Sequence, residues 1–163
     1  MPRSETAGAR LLATWQRLAG LPGGRWLFAR VIRWTIPYSG SIRPRFESLE
    51  AGHARVSVTQ HRAIEQHLGS IHAIALANLA ELASGAAVIT ALPFGYRGIV
   101  TRLTIDYVKK ARGIVTADCA FHVSALGVDN DYDVVVTVVD QRGDAVARAA
   151  VRWKIGVVPP RSA

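Results

Sequence analysis

Gln66-His67-Leu68-Gly69-Ser70-Ile71-His72-Ala73-Ile74-Ala75-Leu76-Ala77-Asn78-Leu79-Ala80-Glu81 is the stretch that decides the fold. A turn holding Gly69 and Ser70 leads into an alanine-rich segment that continues to about Ala91, where Leu92-Pro93-Phe94-Gly95 stops it. The segment is apolar on every side, and a helix apolar all round is a buried helix. One carboxylate, Glu81, interrupts it. Burying a carboxylate without a partner is costly, so Glu81 marks a candidate site.

The flanks carry a different period. Downstream, Gly98 to Lys109, Gly113 to Leu126, Tyr132 to Asp140 and Asp144 to Val157 read as four strands in an antiparallel meander. Gln141-Arg142-Gly143-Asp144 forms the hairpin turn between the last two. Upstream, Ser41 to Leu49 reads as a strand, and Pro44 places it at a sheet edge. Ala54, Val56 and Val58 alternate with Arg55, Ser57 and Thr59 in a second strand. Strands on both sides of one fully apolar helix make an α+β domain. A curved sheet wrapped around the helix covers it, which is the hotdog arrangement.

Before the first strand lie two short helices. One runs from a cap at Ser4 to about Ala19, with Leu11, Trp15 and Leu18 on one face. The other spans about Gly24 to Thr35, with Leu27, Val31 and Trp34 on one face; with arginines on their outer faces, the two helices either pack on their own domain, apolar face inward, or lie on a membrane. The expected organisation is a helical extension over 1–40 and a hotdog domain over 41–158.

The chain has 163 residues and a formal charge of +8. Residues 1–45 hold eight arginines against one acid, a net of +7; the remainder is nearly balanced. Three readings of that bias compete: an anionic membrane surface, nucleic acid, or a phosphate-bearing ligand such as coenzyme A. The sheet lacks a basic face with interleaved aromatics, which makes nucleic acid the weakest of them. The single cysteine, Cys119, excludes an intrachain disulfide and reads as a buried thiol. With no apolar leader after Met1, the expected location is cytoplasmic. Asn78, Glu81 and Ser84 argue against a membrane span at residues 71–92. Asp129, Asp131 and Asp133 mimic the start of a calcium loop, but Val134 stands where such a loop needs glycine, so they read as a solvated hairpin. No zinc spacing, phosphate-cradling loop or nucleophile elbow occurs, and no metal or cofactor is expected.

Over residues 10–157 the chain resembles the hotdog-fold thioesterases, and within them the acyl-CoA thioesterase group related to the phenylacetate-pathway enzyme. The N-terminal helices with Pro37-Tyr38-Ser39-Gly40-Ser41-Ile42 look closer still to an uncharacterised branch, a domain of unknown function. The family pattern is Asn, Gly, then His-Gly-Gly, then an acid nine residues after the His. Gln66 stands at the Asn position, Gly69 and His72 are kept, Ala73 and Ile74 replace the glycines, and Glu81 supplies the acid.

The resemblance implies that Glu81 acts as general base or nucleophile and that the Ala73 N–H holds the carbonyl oxygen. Gln66 and His72 would position water or the thioester. Gly69 and Ile74 would meet the substrate. Position in the sequence adds Asn78, one turn before Glu81, as a substrate contact or a backbone partner, and the strand-end cluster Lys109, Lys110 and Arg112 as a site for the phosphates of coenzyme A or a solvated turn. The physics agrees with part of this. A carboxylate in an apolar site is a stronger base than one in water. The N-terminus of a long helix offers free N–H groups. Glu81 lies over two turns beyond Ala73, roughly 13 Å by rise. One subunit therefore does not easily present both groups to one carbonyl, and an interface site in a homodimer or tetramer does. Two readings remain at Glu81, catalytic and structural. The corresponding alternative for the whole chain is a non-catalytic hotdog protein that binds acyl-CoA or another apolar ligand. Trp15, Trp26 and Trp34 would cover or extend an acyl tunnel.

Overall fold

The computed structural model describes residues 6–123, 126 and 129–158. Three helices come first: α1 (Ala7–Leu18), α2 (Gly24–Thr35) and the single turn α3 (Pro37–Gly40). Strands β1 (Arg45–Glu50) and β2 (His53–Thr59) precede a two-residue hairpin, β3 (Glu65–Gln66) and β4 (Ser70–Ile71). The central helix α4 (Ala73–Ala91) follows, and then β5 (Tyr96–Tyr107), β6 (Ile114–Ala120), β7 (Asp129–Asp140) and β8 (Ala145–Val157).

Six strands form one antiparallel sheet in the order β1-β2-β6-β7-β8-β5, folded against α4. This is the expected hotdog architecture, with β1 at an edge. The expected four-strand meander is corrected. Only β6, β7 and β8 are consecutive neighbours, and β5 lies at the far edge against β8. Alternation tells which face of a strand is buried and is silent on its neighbour. Here α4 crosses the sheet and delivers the chain to the opposite edge. The chain then returns to lay β6 beside β2.

The inner face carries the alternating residues: Ala54, Val56 and Val58, then Val115, Ala117 and Cys119, then Val134, Val136 and Val138, all buried. Alanines at 75, 80, 83, 86 and 87 let α4 approach them closely. The helix is long and apolar enough to cross a membrane, but most of it is buried in this core. Thr90, near its end, ties it to the β1–β2 turn. Its hydroxyl accepts from the Gly52 N–H at 3.1 Å and can donate to the carbonyl of Glu50 or of Ala86.

The N-terminal helices share this core. Trp15 of α1, Phe28 of α2 and Phe46 of β1 meet edge to face, with ring centroids 5.1 Å apart for Trp15–Phe28 and 5.2 Å for Phe28–Phe46. The Thr6 side chain accepts from the Ala9 N–H at 2.9 Å and caps α1. Ser4, the expected cap, lies outside the described residues.

The inward face of α2 also differs from expectation. Phe28 and Ile32 are buried with Gly24, whereas Leu27, Val31 and Trp34 face outward. Both rows have helical spacing, and tertiary contact selects between them: Phe28 packs edge to face on Trp15 of α1 and Phe46 of β1. Asp129 and Asp133 lie on β7 rather than on a hairpin, paired with Lys154 at 3.0 Å and Arg152 at 2.7 Å.

Candidate active site on the central helix

One stripe of α4 is only half-buried: Ala73, Ala77, Glu81, Gly85 and Ile89, each four residues from the next. Glu81 sits at its middle. It is thus half-buried rather than enclosed, which lowers the cost that the sequence implied. Its carboxylate has no hydrogen bond or ion pair among the described residues. Burial pushes its pKa above the ordinary carboxylate range, with no neighbouring cation to oppose the shift.

Two apolar clefts meet at Glu81. The first, about 250 Å³, is walled by Leu11, Ile32, Phe46, Gly85 and Trp153. The second, about 450 Å³, is walled by Tyr38, Ile74, Asn78 and Leu103. Ile36 and Ser39, from the end of α2 and from α3, line both. The N-terminal helices therefore shape the site through Leu11, Ile32, Ile36, Tyr38 and Ser39. The three tryptophans expected to do so lie elsewhere: Trp15 is in the core, and Trp26 and Trp34 are exposed.

Asn78, one turn before Glu81, is buried. Its Nδ2 donates to the Tyr38 carbonyl at 3.3 Å, which anchors α3 over the helix. Its Oδ1 is buried and has no partner among the described residues. Ser84 donates back to the Glu81 carbonyl at 2.9 Å, the intrahelical bond expected of a helical serine. It also accepts from Trp153 Nε1 at 3.2 Å, which orients the indole in the first cleft. Trp153 could have been suspected only as one apolar residue among many on β8.

The other expected residues gather at the N-terminus of α4. His72 is its N-cap, and Nδ1 accepts from the Ile74 N–H at 3.1 Å. The Ala75 and Leu76 N–H groups donate to the His72 carbonyl, and the Ala73 N–H has no partner among the described residues. Gln66 donates to Ser70 Oγ at 2.7 Å across the β3–β4 hairpin. Gly69, at φ +66°, makes the turn of that hairpin, and its carbonyl accepts from Arg112 Nε at 3.1 Å. Gln66, Ala73, Tyr107, Lys109 and Lys110 line one small cleft of about 170 Å³. Lys109 is held there by Asp140 at 2.9 Å and Asp144 at 2.7 Å. Within one chain, then, Ala73, Gln66 and the lysines share one cleft, and Glu81, Asn78 and Ile74 another.

Cys119 is buried on β6 with its thiol pushed up to about 12 by desolvation, which leaves it without thiolate reactivity. Among the described residues no three His, Cys, Asp or Glu side chains gather as a metal site.

Comparison with solved structures returns the same fold. The structural-genomics protein APC5556 superposes with a TM-score of 0.79 at 29% identity, covering 91% of this chain and 98% of that one. PA5026 from Pseudomonas aeruginosa, a protein of unknown function described as a probable thioesterase, gives 0.73 at 24% identity, covering 85% and 97%. Thioesterase HI1161 from Haemophilus influenzae gives 0.71 at 11% identity, covering 85% and 94%. No functionally curated protein matches the chain. The model of the family DUF4442, a domain of unknown function, matches residues 24–155, from the first residue of α2 to the inner residues of β8. The hotdog chain with its half-buried Glu81 thus belongs to the DUF4442 family.

Proposed function

We propose that the protein is a thioester hydrolase acting on acyl-CoA or a related acyl thioester, with Glu81 as general base or nucleophile. The observation that carries this reading is Glu81 itself: a carboxylate of raised pKa, without a counter-ion, between two apolar clefts on the central helix. Such a group takes a proton from water more readily than a solvated carboxylate. An apolar cleft beside it suits an acyl chain. The Ala73 N–H, free at the positive end of α4, is the donor for the developing oxyanion. Similarity in fold to thioesterases supports the same reaction class.

Since Ala73 and Glu81 line separate clefts, the complete site takes one group from each subunit of a homodimer. The outer edge of β5 favours such pairing. It is a twelve-residue strand with an open edge and exposed Ile99 and Tyr107, and such an edge is a template for a second strand. Lys110 and Arg112, beside the small cleft, suit the phosphates of coenzyme A better than Lys109, which two aspartates neutralise.

A second reading, a protein that binds thioesters without cleaving them, is favoured by Ile74. Its side chain is 57% exposed and lines the Glu81 cleft, where the resembled enzymes have glycine. The deciding experiment is thiol release from short, long and aromatic acyl-CoAs by wild type and Glu81→Gln. Turnover lost in a folded, dimeric variant supports hydrolysis. Saturable acyl-CoA binding without turnover in the wild type supports the second reading.

A further inference from the structure

The outer side of α2 is amphipathic in its own right. Next to the buried row of Phe28 and Ile32, Leu27, Val31 and Trp34 form a more exposed apolar seam, with Trp34 79% exposed. Beside that seam run Trp26, 65% exposed, Arg30 and Arg33, with the Arg30 guanidinium over the Trp26 ring at 5.2 Å. The groove between α2 and the start of β1, about 540 Å³, adds Arg25, Arg43 and Arg45. Among the described residues Glu47 is the one acid paired here, with Arg25 at 3.6 Å and Arg45 at 3.7 Å. Arg30, Arg33 and Arg43 have no acidic partner among the described residues. Arg43 also holds φ +55°, a backbone state disfavoured for any side chain but glycine's hydrogen.

We propose that this face of α2 docks on an anionic lipid bilayer. Trp34, Leu27 and Val31 enter the boundary between headgroups and acyl chains, and the arginines meet lipid phosphates. A helix lying in the interface needs this division: an apolar seam flanked by arginine, with tryptophan at the border. The other occupants satisfy only half of the surface. Nucleic acid would use the arginines and Trp26 and leave the aliphatic seam wet. A second copy of the chain would cover the seam, but a two-fold contact would set two arginine clusters face to face. The proposal does not depend on hydrolysis, although Ile32, on the buried row of the same helix, lines the Glu81 cleft.

The test uses the full chain with vesicles of phosphatidylglycerol and phosphatidylcholine in equal parts, and with phosphatidylcholine alone. Binding is followed by co-sedimentation and by tryptophan quenching from acyl-brominated lipid. Trp15 and Trp153 are buried, so quenching reports Trp26 and Trp34. The expected result is binding to the anionic vesicles that weakens with salt, and quenching that drops sharply in Trp34→Phe. In the double variant Arg30→Gln, Arg33→Gln, the partition coefficient falls roughly thirtyfold, about fivefold for each basic contact at the surface. Three results would overturn the proposal: no binding to anionic vesicles at low salt; binding without quenching, which is adsorption by charge alone; or a Leu27→Glu variant that loses oligomeric mass while the wild type ignores lipid. Salt-sensitive binding to a DNA duplex with no response to vesicles would assign the arginines to nucleic acid instead.

Discussion

Replacing Ala73 with proline should cut turnover by about a hundredfold or more and leave the fold intact, because α4 begins in a geometry that already suits proline. Ala73 is the first helical residue, where proline's missing N–H breaks no helical bond. Proline restricts the residue before it to extended backbone with ψ of roughly 120° to 160°. His72 stands at φ −65°, ψ 142°. The bonds that start the helix belong to its neighbours: Ile74 N–H to His72 Nδ1, and Ala75 N–H and Leu76 N–H to the His72 carbonyl. The Ala73 carbonyl still accepts from the Tyr107 hydroxyl, at 3.0 Å.

Stability should therefore stay level or rise by about 0.4–1 kcal/mol as the unfolded chain loses freedom. What disappears is one donor. If it serves the oxyanion, kcat falls about 10²- to 10³-fold, or about 2.7–4 kcal/mol of barrier, with KM little changed. Thiol release, thermal melting and light scattering measure these quantities. Mixing then locates the site. Subunits carrying Ala73→Pro and Glu81→Gln are each inactive, yet a mixed dimer rebuilds one intact site from the unmutated group of each partner. Random reassociation in equal parts should restore about a quarter of wild-type activity. Full activity in a folded Ala73→Pro protein would remove this N–H from the mechanism. Two inactive variants that stay inactive when demonstrably mixed would refute a site shared between subunits.

Four further outcomes test other parts of the structure. Burial raises the folded-state pKa of Glu81 above its unfolded value, so the group costs stability once pH exceeds the raised value and costs nothing below the unfolded one. Glu81→Gln should then melt higher than wild type near about pH 8 and equally near about pH 3, where both states of the wild type are protonated; a pH-independent difference would contradict the assignment. In Gly85→Ala the new Cβ lies 3.4 Å from the Trp153 ring, an ordinary contact. The helix should gain up to about 1 kcal/mol and the first cleft should narrow, lowering the long-over-short ratio of kcat/KM by about five- to tenfold. In Gly8→Ala the Cβ would lie 1.9 Å from the Ile89 carbonyl oxygen and 2.9 Å from Thr90 Cα, backbone that cannot swing aside. Urea unfolding should show a loss of about 1–3 kcal/mol. Gly20→Ala, with nothing within 4 Å, should stay within about 0.5 kcal/mol.

The unbroken apolar run of Ala73–Ala91 and the alternation along β2, β6, β7 and β8 are local signals. A helix or strand exposes its own period whatever it packs against, so the elements, the central helix and the anomaly at Glu81 were legible from residue order alone. The motif residues at the start of α4 were legible for the same reason, since a cap and the first free N–H depend on positions a few residues apart. The neighbour of β5 and the buried row of α2 were not. Two apolar rows of α2 compete at equal spacing, and only the contact of Phe28 with Trp15 of α1 and Phe46 of β1 decides which turns inward. The clefts are likewise a tertiary product. Glu81 acquires its apolar walls from α1, α2, α3, β1, β5 and β8 at once, Trp153 is aimed there by Ser84, and Asn78 is held by Tyr38, forty residues away. Sequence spacing along one helix marks where a carboxylate stands. Its surroundings, and hence its proton affinity, come from chain segments that only the folded structure brings together.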